Sequence, residues 1–131
     1  MAIRVVKLGT DRAPDEGVRL GTVRRLPRGV KKADYARRDF FDAWFPELAP
    51  SEKLVKSVQG RDVTDSQWRK FTAAYRREMG VPAASRTLEV LARLSHQADF
   101  SVGCYCENAG RCHRSVLATI LAEHGAAMRE E

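Results

Sequence analysis

Cysteine is scarce in this chain, and the three that occur crowd between positions 104 and 112. A secreted disulfide scaffold would spread an even number along its length, so that class is excluded. Long apolar runs are also missing. Val116 to Ala122 is among the longest, yet Thr119 interrupts it and it is far too short to cross a bilayer. The stretch Met1-Ala2-Ile3-Arg4-Val5-Val6-Lys7 lacks the apolar segment and cleavage site of a secretory signal. These absences set the expectation of a cytoplasmic protein with no membrane partner. No internal repeat, low-complexity tract or interdomain linker is visible.

What is present is an ordinary globular composition. The 131 residues are 44% hydrophobic and 31% charged, enough for one domain spanning 1–131 with a real core. Net charge is +6, with 17 Arg and 6 Lys set against 17 acids. That balance suits anionic partners such as nucleotides, phosphorylated metabolites or nucleic acid. The cations are nevertheless interleaved with acids along the whole chain, as on a plain solvated surface.

Hydrophobic periodicity predicts strands over Ala2 to Leu8 and Val18 to Val23, the second closed by the Pro27-Arg28-Gly29 turn. Asp39 to Phe45 is aromatic and too short to assign as strand or helix. Ser51 is a good N-cap for a helix starting there. A longer helix, capped by Thr64 or Asp65 and running to about Met79, carries Trp68, Phe71, Tyr75 and Met79 on one stripe. Trp44, Trp68, Phe71 and Tyr75 are read as core. Ala84 to His96 predicts a further helix with Leu88, Leu91, Ala92 and Leu94 inward. Phe100 to Tyr105 reads as an interior strand, because its apolar character is continuous. Cys112 to His124 closes the series as a helix, and about 126–131 is expected to fray. Strands early, helices in the middle and a final strand–helix unit predict an α/β fold: an open sheet, mixed or mostly parallel, with helices packed on it.

The chemistry concentrates where Cys104-Tyr105-Cys106 leads through a loop into Cys112-His113-Arg114-Ser115. Ligands of open α/β sheets bind beyond the carboxyl ends of strands. A helix start offers unpaired N–H groups and a positive dipole end. Arg114 adds a bidentate fork, and Ser115 a hydroxyl beside it. A cysteine in that field has a lowered pKa and is nucleophilic, so Cys112, or failing it Cys104, is the candidate reactive thiol. His113 is the candidate base or orienting group. Arg24, Arg25 and Arg28, at the Pro27-Arg28-Gly29 turn, are further candidates for holding an anion. The pattern is not that of the protein tyrosine phosphatases, since no cysteine has an arginine six residues later followed by Ser or Thr. Cys104, Cys106, Cys112 and His113 are also four soft ligands suited to zinc. Adjacent Cys112 and His113 would strain one shared tetrahedron, however, and the expectation is no metal and no cofactor. Cysteine also buries readily as a small hydrophobe, and for Cys106 that reading stands beside the functional one.

Four stretches carry a resemblance to a known family. They are Arg19 through Arg24…Pro27-Arg28-Gly29-Val30, Trp44…Leu48-Ala49-Pro50-Ser51, Trp68…Phe71…Tyr75, and Cys104…Cys112-His113-Arg114-Ser115. The chain resembles the YeaO-like proteins, the domain of unknown function 488. Val23 and Leu26 stand where that family more often has an acid and a tryptophan. Cys106 stands where many members carry a glutamate, with Glu107 one position away. The resemblance implies an α/β fold and a site built from the Arg24/Arg28 turn and the Cys104/Cys112-His113-Arg114 loop. It implies no reaction.

The sequence therefore points to a site for an anionic, nucleotide-like small molecule, with a thiol-dependent enzyme as one form of it. A non-catalytic nucleic-acid-binding or accessory module using the arginines is the alternative.

Overall fold

In the computed structural model, residues 1–58, 62–106 and 111–129 are described. Glu107, Glu130 and Glu131 lie outside them. Among the described residues, four strands form one sheet in the order β1-β4-β2-β3, with every pairing parallel. The strands are β1 (Ile3–Lys7), β2 (Val18–Gly21), β3 (Ala43–Trp44) and β4 (Phe100–Cys104). The helices are α1 (Glu52–Val58), α2 (Asp65–Met79), α3 (Pro82–Leu94) and α4 (His113–Glu123). The fold is α/β, with a wholly parallel sheet.

β4 is interior, as its apolar run requires. It pairs with β1 on one side and β2 on the other, and all five of its residues are buried. Gly103 is set by this crowding, since a Cβ there would lie 2.6 Å from the Val6 carbonyl oxygen. β2 and β4 are further tied at their amino ends by a buried ion pair. Arg19 donates from Nε to Glu16 (2.6 Å) and from a terminal nitrogen (2.9 Å), and Ser101 of β4 donates to the same carboxylate (2.7 Å).

The helices begin where the sequence provides caps. Ser51 Oγ accepts the Leu54 N–H at the start of α1. Thr64 and Gln67 form a reciprocal capping box on α2, and Phe71, Tyr75 and Met79 bury its inner stripe. α3 starts earlier than its periodicity suggests, because Pro82 fits the first turn. Leu94 is 48% exposed rather than inward. Ala84, Leu88 and Ala92 recur every fourth residue and define the buried stripe, and Leu94, two past Ala92, falls off it.

Two other expectations are corrected. Asp39 to Phe45 is a turn leading into edge strand β3. Phe41 is buried there, but Trp44 is 43% exposed, its indole N–H donating to the Val23 carbonyl (2.8 Å). The tail does not fray at 126. Ile3 donates to the Ala127 carbonyl, Arg129 donates back to that of Ile3, and Met128 packs on the core, so the segment is held against the free edge of β1.

Candidate functional site

The order β1-β4-β2 places the ends of β4 and β2 side by side, and the chain leaves both strands toward one cleft. Cys104 is the last residue of β4. Thr22, Val23 and Arg24 follow β2. Cys112 is the N-cap of α4, and His113 its first residue. The resulting cleft holds about 550 Å³, within the range of small-molecule sites. All three cysteines line it, together with His113, Arg24, Arg25, Arg111 and Tyr105. Val23, Pro50, Val55, Val58, Val63 and Phe71 supply apolar wall.

The sulfurs of Cys104, Cys106 and Cys112 all lie within 4.8 Å of one another. Those of Cys104 and Cys112 are paired as a disulfide, although their Cα atoms are 7.8 Å apart. Both residues are almost fully buried and pack with Leu8, Val23, Tyr35 and Phe41, so they serve the core as well as the cleft. Cys106 is exposed. Neighbouring atoms still desolvate its thiol and push its pKa above the ordinary value, while the charge of Arg114 acts the other way.

His113 sits between the sulfurs and the sheet. Its Nε2 is 2.6 Å from the Thr22 carbonyl oxygen, which can only accept, so Nε2 carries the hydrogen. In the neutral ring Nδ1 then keeps its lone pair, 3.9 Å from Cys112 Sγ. The Tyr75 ring packs edge-on at 5.7 Å. Burial pushes the His113 pKa down to about 4, Arg114 adds to that, and the Thr22 bond opposes it. The ring is neutral at physiological pH. In the reduced protein it is suited to accepting the Cys112 S–H hydrogen bond and fixing that thiol's direction, and it is poorly suited to holding a proton.

This has a consequence for acid stability. The folded ring titrates near 4, against an ordinary value of 6.5. The unfolded chain thus takes up the proton first as pH falls. Stability is complete above 6.5 and declines toward 4, by on the order of 3 kcal/mol at roughly 1.4 kcal/mol per pKa unit. Urea midpoints between pH 7 and pH 4.5 check this. A flat profile would show that the ring is not buried neutral.

The remaining sequence candidates fare differently. Arg24 lines the cleft and donates to three carbonyl oxygens, of Pro50 (3.0 Å), Pro46 (3.2 Å) and Ala49 (3.3 Å), rather than to a carboxylate. Arg114 is buried within α4 behind the cysteines, where its charge bears on Cys106 and His113. The Ser115 hydroxyl donates to the Cys112 carbonyl (2.8 Å) and tightens the helix start. Arg28 is exposed on its turn and is not among the residues lining the cleft. Arg25, a sequence candidate, does line the cleft, whereas the sequence reading passed over Arg111 and Tyr105. Arg111 bonds the Val63 carbonyl and pairs with Asp65, Arg25 pairs with Glu52, and Tyr105 donates to the Arg25 carbonyl (3.0 Å). Arg111 carried a signal, since it directly precedes Cys112. The Thr22 carbonyl carried none, being backbone.

A family model described as the active DUF488-N3 subclade, DUF488-N3a, matches residues 3–125. The chain belongs to the DUF488-N3a family. That match bears out the resemblance read from the sequence and takes in the whole cleft. No curated protein and no solved structure matches this DUF488-N3a chain significantly. Among its described residues, no helix is long and apolar enough to cross a membrane.

Proposed function

We propose that the cleft binds an organic anion with a flat apolar body, nucleotide-like in chemistry, and that Cys112 is the thiol that acts on it. The observation carrying this reading is the convergence of all three cysteines, His113 and Arg24 on one cleft of about 550 Å³ at the carboxyl ends of β2 and β4. Valines, Pro50 and Phe71 would cover the apolar body. Arg24, whose guanidinium is oriented by carbonyls, would receive the anionic group, with Arg111 and Arg25 at the rim beside their carboxylates. His113 Nδ1 would orient the Cys112 thiol, and Arg114 with the α4 amides would favour its thiolate. The chain would then be a thiol-dependent enzyme. Charge placement favours a nucleic-acid surface less. Arg4, Arg12, Arg19, Arg25, Arg76, Arg111 and Arg129 are paired with carboxylates, which leaves them weaker partners for phosphate.

Calorimetric titration of the reduced protein tests the binding. A nucleoside monophosphate is expected to bind and to protect Cys112 from alkylation, with inorganic phosphate much weaker because it leaves the apolar walls wet. Arg24→Ala should weaken the nucleotide by roughly 10- to 100-fold, the worth of one charge-assisted hydrogen bond. Binding only to duplex DNA, with a steep loss as salt rises, would replace this reading with the nucleic-acid one.

A further inference from the structure

The three sulfurs pose a question that the binding of an organic anion does not answer. Three cysteine sulfurs within 4.8 Å, drawn from the end of β4, the residue two beyond it and the N-cap of α4, exceed what one nucleophile needs. The structure pairs two of them as a disulfide, but Cys104 and Cys112 have Cα atoms 7.8 Å apart. Disulfides span roughly 4.4–6.8 Å between Cα atoms. A cation bound to both sulfurs lengthens the bridge, because tetrahedral bonds of about 2.3 Å set sulfurs about 3.8 Å apart. The backbone spacing therefore suits two ligands of one ion better than two halves of a cystine. Cys106 supplies the third corner.

We propose that Cys104, Cys106 and Cys112 form a three-thiolate site for a soft divalent cation, zinc foremost, with its fourth coordination position open to the cleft. The objection raised by the sequence was that adjacent Cys112 and His113 would strain one tetrahedron. It does not apply to this set. His113 stands outside it, with Nε2 bound to Thr22 and Nδ1 facing Cys112. The ligand chemistry is selective: three thiolates favour zinc and other thiophilic ions over magnesium or calcium. Each thiol that ligates releases its proton to solvent, so a divalent ion leaves the cluster with one net negative charge. Arg114 and the start of α4 lie beside it to offset that charge. Three protein ligands with one open position are the pattern of zinc sites that do chemistry rather than hold folds together. In the metal-bound form Cys112 is a ligand and not a free nucleophile, so the cation also determines which chemistry the cleft offers.

The test is titration of the full-length, reduced, chelator-treated protein with Co²⁺ and then Zn²⁺, in the absence of any organic anion. One cobalt per chain should give a thiolate-to-cobalt charge-transfer band with intense tetrahedral absorption, both bleached by one equivalent of zinc. Cys106→Ser, at an exposed position, should weaken cobalt by roughly tenfold or more, about 1.4 kcal/mol. In the wild type, one equivalent of zinc should slow alkylation of all three cysteines together. No charge-transfer band, a band indifferent to Cys106→Ser, or zinc that leaves any one of the three thiols fully reactive would overturn the site. These readouts contain no organic anion, so their failure leaves nucleotide binding standing, and failed nucleotide binding leaves them untouched.

Discussion

Glu16→Ala is expected to cost the fold about 3–5 kcal/mol, the range for stranding one partner of a buried ion pair. Arg19 is fully buried and Glu16 is 2% exposed, so neither has solvent to fall back on. Desolvation acts to raise the Glu16 pKa, but Arg19, Ser101 and the Ala13 N–H together outweigh it and hold the carboxyl at about 2. In the alanine variant the Arg19 guanidinium would keep its bonds to the carbonyls of Thr10 and Asp39 but lose its bonded carboxylate, and Ser101 would lose its acceptor. Urea unfolding should show a lower midpoint with little change in slope. Pairing Glu16→Ala with Arg19→Met should recover part of the loss, because the buried charge leaves with its partner. A single-variant loss below about 1 kcal/mol, the ordinary worth of a surface pair, would mean that the pair is hydrated. The effect reaches the cleft, since Arg19 and Ser101 lie on β2 and β4 just upstream of Thr22 and Cys104. The same carboxylate loses its contribution between 4.5 and 2, mostly below the His113 window, together with other paired carboxylates such as Asp42, so acid weakens the protein further there.

Much of the architecture was legible because it was local. The continuous apolar run Phe100 to Cys104 announced an interior strand, and the Thr64–Gln67 box and the Phe71, Tyr75, Met79 stripe announced α2. Strand order was not legible. It depends on which distant segments pair, and nothing in Ile3–Lys7 or Val18–Gly21 says that β4 inserts between them. Trp44 and Leu94 were misread for the opposite reason: hydrophobicity was taken for burial, but an edge strand and an off-stripe helical position leave such side chains in water. Met128 was read as fraying because a bridge to β1 leaves no pattern in four residues.

The site was legible to the same degree. Cys104 and Cys112-His113-Arg114-Ser115 were found by asking what residue types meet at a strand end and a helix start. Cys104 was expected on a strand running to Tyr105, with Cys106 just beyond it. The strand stops at Cys104, yet the two sulfurs still converge with that of Cys112. Arg24 and Arg28 looked equivalent in sequence. Only the path of the chain after β2 separates Arg24, which lines the cleft, from Arg28, which stands exposed on the turn.

The central claim is that the cleft activates Cys112, and residue-resolved alkylation of the reduced, metal-free protein addresses it most directly. Rates at each cysteine are followed by peptide mass spectrometry from pH 5 to pH 10, with iodoacetamide and with its anionic counterpart iodoacetate. Cys112 should titrate below the ordinary thiol value of about 8.5, because the α4 start and Arg114 favour its thiolate. Cys106, whose desolvation outweighs the pull of Arg114, should titrate above it. Iodoacetate should gain on iodoacetamide at Cys112 relative to free cysteine, since Arg24, held by carbonyls, lines the approach. A nucleoside monophosphate should suppress the Cys112 reaction. If Cys112 is inert across the range, or titrates at or above 8.5 and ignores both reagent charge and nucleotide, the cysteines are core packing and the cleft is not a thiol site.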